Sequence, residues 1–276
     1  MLTNMRSLLQ IAEKRNCAIP AFNVYDSVTA LGILQAAEEA NACVIVQMYS
    51  RLFTSIEAEF MSPSIVAAAQ RAGVKVAYHL DHGASREAVC RALRYGCTSV
   101  MRDASELPLE ENIAVMKDVV QMAHDLGVDV EGELGHVGVA AQGVSQDYTK
   151  VDEAVRFTTE TGVDALAVLV GTAHGHYRQA PVIAVDRIRE IKQATGVPLV
   201  LHGGSGVPDD QIRAAIAAGI RKINFGTDVC CSMMDAVRQV DPKIIAVDLV
   251  MKEPMAAVRR FALEKIRLLG AEGSNE

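Results

Sequence analysis

The chain reads as an α/β protein: a (β/α)8 TIM barrel formed by residues 1–276 as a single domain. Three observations point there. Eight short apolar runs alternate with helical stretches, the order expected of parallel strands joined by crossover helices. The runs are almost continuously apolar, as in strands covered on both faces. The 276 residues suit one barrel, which takes roughly 250.

The elements follow in order. A first helix opens within Met1-Leu2-Thr3-Asn4-Met5-Arg6. Residues 18–24 (AIPAFNV) read as strand one and 27–40 as a helix; residues 43–49 (CVIVQMY) read as strand two, with a helix around 63–72. The third strand starts in Val74-Lys75-Val76-Ala77, which is short, alternating and β-rich, and ends in Tyr78-His79-Leu80-Asp81-His82-Gly83. Side chains alternate along a strand, so His79 and Asp81 share a face while His82 falls to the turn that Gly83 permits. A helix over 85–95, a strand over 98–103, a long helix over 109–126 and a strand over 129–134 come next. A Gly-containing loop reaches about residue 149, then a helix at 152–161 leads to the sixth strand, 165–170. The helix at 184–194, strand at 198–201, helix at 209–218 and strand at 222–225 complete eight units. Helices fill the remainder, and residues 271–276 read as a frayed tail.

Composition narrows the function. Half the residues are apolar and 22% are charged, enough for a large core and against disorder. A formal net charge of −7 speaks against a broad role with nucleic acid or an anionic membrane, while leaving room for a local phosphate pocket. The six cysteines show no C-x-x-C spacing and several lie in apolar runs, so buried thiols in a reducing cytosol are expected. The N-terminus lacks a signal-peptide plan and no apolar run approaches a membrane span. A soluble cytoplasmic protein is expected.

The polar residues of the strands gather at one end of the barrel, the face where such barrels keep their chemistry. His79, Asp81 and His82 end the third strand, Asp103 and Ser105 follow the fourth, and Glu131 and Glu133 lie on the fifth. His174 follows the sixth within Gly171-Thr172-Ala173-His174-Gly175, and His202 ends the seventh. His82, His174 and His202 supply three neutral nitrogen ligands with an open position, the plan of catalytic zinc (Zn2+). His79, Asp103 and Glu133 are candidates for the surrounding shell or for an alternative ligand set. After His202, Gly203-Gly204-Ser205-Gly206 offers backbone N–H groups and a hydroxyl to an anion, and Asn224-Phe225-Gly226-Thr227-Asp228 adds donors beside it. Loops after strands seven and eight are a recurrent phosphate site in barrels. The remaining histidines read differently: His124 as a surface or helix-capping group, His136 as an exposed loop residue, and His176 as facing solvent or substrate. Arg259, Arg260, Lys265 and Arg267 read as a solvated helix face, and Met233-Met234 as packing.

Together with Ala21-Phe22-Asn23, Asp103-Ala104-Ser105, Glu111-Asn112 and Val130-Glu131-Gly132-Glu133-Leu134-Gly135, these motifs resemble the class II, zinc-dependent ketose-phosphate aldolases over nearly the whole length. This is the family of the fructose- and tagatose-bisphosphate aldolases. The resemblance implies reversible cleavage of a ketose 1-phosphate or ketose bisphosphate to dihydroxyacetone phosphate and an aldehyde. It implies zinc on His82, His174 and His202, often with Na+ or K+ near the phosphate, and a homodimer or homotetramer. It also implies proton transfer at the C4 oxygen by Asp81. Asn23, Gly175, Gly203, Gly204, Ser205, Asn224, Phe225, Gly226 and Thr227 match the segments that hold the substrate.

The chain departs from the family at three places. The loop after Gly135 reads His136-Val137-Gly138-Val139-Ala140-Ala141-Gln142-Gly143, without the carboxylate that the family carries there for proton exchange at carbon. Asp147 is the nearest acid and would reach the site only if the loop folded over the barrel mouth. Tyr49 stands where many relatives have serine, and Arg102 where relatives are commonly apolar. Two other readings use the same residues: a zinc hydrolase on this barrel, and a non-catalytic protein that binds zinc and phosphate.

Overall fold

The computed structural model describes residues 1–143, 145–175 and 177–276. Eight parallel strands close into a barrel in chain order: β1 (Ile19–Asn23), β2 (Val44–Tyr49), β3 (Val76–Gly83), β4 (Ser99–Arg102), β5 (Asp129–Leu134), β6 (Ala165–Val168), β7 (Leu199–Leu201) and β8 (Ile220–Phe225). Helix α1 (Met5–Arg15) precedes them. Between strands run α2 (Ser27–Glu39), α3 (Ser50–Phe53), α4 (Glu57–Arg71), α5 (Arg86–Arg94), α6 (Leu109–His124), α7 (Val151–Thr161), α8 (Val185–Thr195) and α9 (Asp209–Ala218). After β8 come α10 (Thr227–Gln239), α11 (Val247–Val250) and α12 (Lys252–Leu268). The TIM barrel expected from the sequence is what the chain forms.

Strand alternation sorts the side chains into two populations. Outward residues such as Phe22, Val46, Tyr78, Val100, Leu166, Leu201 and Phe225 are buried against the helices in one continuous core. Inward residues change character with height. At the bottom, Ile19, Ala21, Ile45, Ala77, Ala165 and Val200 form a second apolar cluster with Met5, Leu8, Leu9 and Ala12 of α1. The alanines leave the interior wide enough for α1 to plug it. Above that plug the inward positions turn polar: Gln47 pairs in register with His79, His79 with Ser99, and Met101 with Glu131. Glu13 of α1 fastens the plug to the wall by bonding Lys192 and Arg221.

Three local differences from the sequence expectation have physical causes. Helix α4 begins at Glu57 rather than near Pro63, because Glu57 and Glu59 complement the positive end of its dipole and Pro63 forfeits only one helix bond. Strand β3 runs through Gly83, so His82 belongs to the strand end and not to the turn after it. A register shift against β4 falls between Leu80 and Gly83, and His82 takes φ +49° there. Gly83 is obligatory at this bulge, since a Cβ on it would lie 2.4 Å from the Met101 carbonyl oxygen. Finally, the C-terminal segment is docked, not frayed. Ala271 and Ser274 are fully buried, Ser274 Oγ accepts from the Cys43 amide at 2.8 Å, and Asn275 Oδ1 accepts from the Lys75 amide at 2.9 Å. These bonds satisfy amides at the N-terminal ends of β2 and β3, which composition alone does not reveal.

Candidate active site

The carboxyl ends of the strands open into a cleft of about 390 Å³. The β3 bulge brings Asp81 and His82 to the same rim, with Asp81 Oδ1 3.9 Å from His82 Nε2. His174 arrives from the loop after β6. Its backbone is clamped by the loop after β5: His174 N–H donates to Gly138 O, and Ala140 N–H to His174 O, both at 2.8 Å. His202 follows β7 and is wholly buried. The three imidazoles crowd together, with ring centroids 4.9 Å (His82–His174), 4.7 Å (His82–His202) and 5.8 Å (His174–His202) apart.

Each outer ring is oriented by a carboxylate. His82 Nδ1 donates to Asp103 Oδ2 at 2.8 Å, and Asp103 Oδ1 accepts from Ser105 N–H (3.1 Å) and Oγ (2.7 Å). His202 Nε2 donates to Glu131 Oε1 at 2.8 Å. These bonds leave His82 Nε2, His174 Nε2 and His202 Nδ1 buried without a hydrogen-bond partner. The ligand atoms of the three lie within 4.8 Å of one another. His202 Nδ1 is 3.1 Å from Glu133 Oε2, yet out of line for a hydrogen bond, so that carboxylate oxygen is orphaned as well. Buried polar atoms without partners are expensive, and three convergent nitrogens fit a tetrahedral zinc ion with one position open. His82, Asp103 and Glu133 form a second possible ligand group.

The electrostatics agree with a cation site. Burial opposes ionisation of Asp81 and Glu133, but the neighbouring imidazoles outweigh it and hold both below the usual carboxylate range. Asp103 and Glu131 lie well below it for the same kind of reason, with Lys222 the largest influence against burial on Glu131. Four ionised carboxylates thus face one lysine and the imidazole cluster. Burial would depress His202, yet its bond to Glu131 and the adjacent Glu133 carboxylate push it up to about 10. Burial and then the charges of His82 and His202 hold His174 down to about 4, leaving its nitrogen neutral and able to ligate.

Of the substrate-side residues named by the sequence, Asn23, Gly175, Gly203, Ser205, Asn224, Gly226 and Thr227 line the cleft. Two do not. Gly204 packs against Ile223 and gives its N–H to Asn224 O, while the Phe225 ring points outward to stack on Phe22 and meet Phe261. Gly203 has φ +66° and touches Ala173 O so closely that only glycine fits. Tyr177 Oη clasps the two loops, accepting from Ala173 N–H at 2.8 Å and lying 2.8 Å from Gly203 O.

His79 sits one layer below the triad and belongs to neither ligand group. Its Nδ1 shares a hydrogen bond with Ser99 Oγ at 2.8 Å, and burial followed by the Lys222 charge holds it down to about 3. His136 both lines the cleft and stays exposed, sharing a bond with Ser105 Oγ at 3.0 Å. His124 is the last residue of α6, whose cap is Asp125, and it meets Asp164 at 2.9 Å. Asp147 is exposed and does not line the cleft. His176 lies outside the described residues. The sequence reading passed over Lys222 and Gln47. Lys222 Nζ forms an ion pair with Glu131 Oε2 (2.9 Å) and donates to Asn224 Oδ1 (2.7 Å), and Gln47 Nε2 donates to Asn23 Oδ1 (2.9 Å). Their signal was available: each falls two residues from a site residue or in register with one, so each had to point inward.

A barrel with a buried histidine triad, an acid beside it and glycine-rich loops opposite defines a class, and comparison with known proteins names it. The family model for class-II fructose-bisphosphate aldolase matches residues 3–274. The chain belongs to the class-II fructose-bisphosphate aldolase family. It is 39% identical to Escherichia coli K12 YdjI over 281 residues, covering 100% of both chains. The crystal structure of that YdjI aldolase superposes with a TM-score of 0.92 at 38% identity, again over 100% of both. A 6-phospho-5-dehydro-2-deoxy-D-gluconate aldolase of Halalkalibacterium halodurans is 41% identical over 87% of this chain and 85% of its own. A sulfofructosephosphate aldolase of Alkalicoccus urumqiensis is 34% identical over 97% and 96%.

Proposed function

We propose that the protein is a zinc-dependent aldolase that reversibly cleaves a ketose 1-phosphate or ketose bisphosphate to dihydroxyacetone phosphate and an aldehyde. One observation carries this: three orphaned imidazole nitrogens converge beside an ionised Asp81, in the same cleft as Gly203, Ser205 and Thr227. The names of the H. halodurans and A. urumqiensis relatives, both phosphorylated keto compounds, support the substrate class.

The chain's own groups divide the work. His82, His174 and His202 would hold zinc, which when bound supplies a Lewis acid for the negative charge that develops on the three-carbon half. Asp81 takes the proton of the C4 hydroxyl as the C3–C4 bond breaks and returns it in condensation. Asn23 Nδ2 and Asn224 Nδ2 donate to its two oxygens at 2.8 and 3.2 Å, which keeps it ionised and aimed. Gly175, Gly203, Ser205 and Thr227 receive the phosphate end, with Na+ or K+ as its counter-ion. The same reading takes the protein as a cytoplasmic homodimer or homotetramer. The exposed apolar residues Ile244, Ile245, Val247 and Leu249 support self-association, and the buried thiols Cys17, Cys43 and Cys97 accord with a reducing compartment.

The test is to offer a panel of ketose 1-phosphates and bisphosphates and follow dihydroxyacetone phosphate with a coupled reductase. Release from at least one is expected. Inorganic phosphate without dihydroxyacetone phosphate would favour a hydrolase, and no turnover with bound metal would favour a binding protein.

A further inference from the structure

Among the described residues lining the cleft, Arg51 is the only lysine or arginine, and the steps above give it no task. Its position is set by the fold. It lies on the short α3 directly after β2, where Ser50 Oγ accepts from the Ala84 amide at 2.9 Å and Phe53 is fully buried. The guanidinium carbon stands 5.6 Å from the centre of the Tyr49 ring, and that ring is 5.9 Å from the His82 ring. A guanidinium held over an aromatic ring by cation–π attraction keeps N–H groups free for a planar or tetrahedral oxyanion. No carboxylate pairs with Arg51 among the described residues, whereas Arg86, Arg156 and Arg259 elsewhere on the surface all have one.

Placement separates this cation from the phosphate end. Gly203 and Ser205 follow β7 and Thr227 follows β8, while Arg51 follows β2, on the side of Asp81 shared with Tyr49. A substrate with its phosphate at β7 and β8 and its C4 oxygen at Asp81 has its aldehyde half on the β2–β3 side of the cleft, where Tyr49 and Arg51 line it. Asp81 and Asp103 line the same cleft and repel anions, so an acidic group gains a place only beside a fixed positive charge. We propose that Arg51, held on the Tyr49 ring, determines specificity by binding an acidic group, carboxylate or phosphate, at the end of the aldehyde remote from its carbonyl. This rests on the aldolase reading above.

Condensation with dihydroxyacetone phosphate tests it, using succinic semialdehyde, glyceraldehyde 3-phosphate and uncharged glyceraldehyde as acceptors. The wild-type protein is expected to favour one acidic acceptor over glyceraldehyde in kcat/KM, and which one tells carboxylate from phosphate. Arg51→Gln should cut that acid-over-neutral ratio by about 10–100-fold, mainly through KM, as loss of a charge-assisted bond does. Arg51→Lys should restore part of it, because charge returns without the fork. Hydrogen exchange into dihydroxyacetone phosphate, followed on the same proteins, reports the three-carbon site alone. Exchange with no acid preference in the wild type, or an Arg51→Gln ratio equal to wild type, overturns the role of Arg51. Absence of exchange in the wild type overturns the aldolase reading itself, and the proposal with it.

Discussion

Asp81 is aimed by two amides that cannot turn over. Asn23 presents its NH2 to the carboxylate because its oxygen accepts from Gln47 at 2.9 Å, and Asn224 does so because its oxygen accepts from Lys222 at 2.7 Å. Flipping either would set two donors or two acceptors against each other in a buried site. Asp81 is not among the convergent ligand groups, so its removal should spare the metal. Asp81→Ala is expected to keep wild-type zinc content and lose about 10²–10⁴-fold in cleavage, the usual contribution of a general acid or base. Metal analysis and the coupled assay on one preparation check this, and near-normal turnover would remove Asp81 from proton transfer. Asp81, His82 and Asp103 could be read from residue type and strand position alone. Lys222 and Gln47 could not be read from type, since Gln47 sits inside an apolar run and Lys222 beside Arg221, a second cation with no part in the site; only inward register marks them.

At the scale of elements, the loop between β5 and α7 matters for what it holds. It has no carboxylate between His136 and Gly143, but it pairs with the segment carrying His174 through the Val139–His174 bridge and two backbone bonds. Its one acid near the far end, Asp147, is exposed and outside the cleft. Asp147→Asn should therefore leave the rate of hydrogen exchange into dihydroxyacetone phosphate within about twofold of wild type, a transition-state change too small to mark a proton donor. A tenfold or greater slowing would mean that the loop closes over the site and delivers this carboxylate. The order and type of the elements were legible because alternating apolar strands and helices leave few topologies. What stayed hidden depends on tertiary contact. The left-handed backbone of His82 answers to a bulge against β4, and the docked C-terminus answers to open amides at the barrel's lower rim. Phe225 and Gly204 lie in the right motifs but face away from the cleft, a distinction that motif order does not carry.

For the whole molecule, the barrel works as a graded column. Apolar side chains and α1 seal the bottom, a polar layer in which Gln47 bonds Asn23 and Glu131 pairs with Lys222 sits above, and the orphaned nitrogens of His82, His174 and His202 lie at the top. The Lys222–Glu131 pair offsets part of the charge held in the interior beneath the site. The carboxylates gathered there and the three unpartnered nitrogens fit the same occupant, a divalent cation at the cleft floor. The most direct measurement is hydrogen exchange at C3 of dihydroxyacetone phosphate, followed by NMR before and after chelation. The protein as isolated should exchange that proton, the chelated protein should not, and about one equivalent of zinc should restore the rate, because ligand set and metal act as a unit. Exchange that survives complete metal removal, or a zinc-loaded protein that never exchanges, would contradict the account.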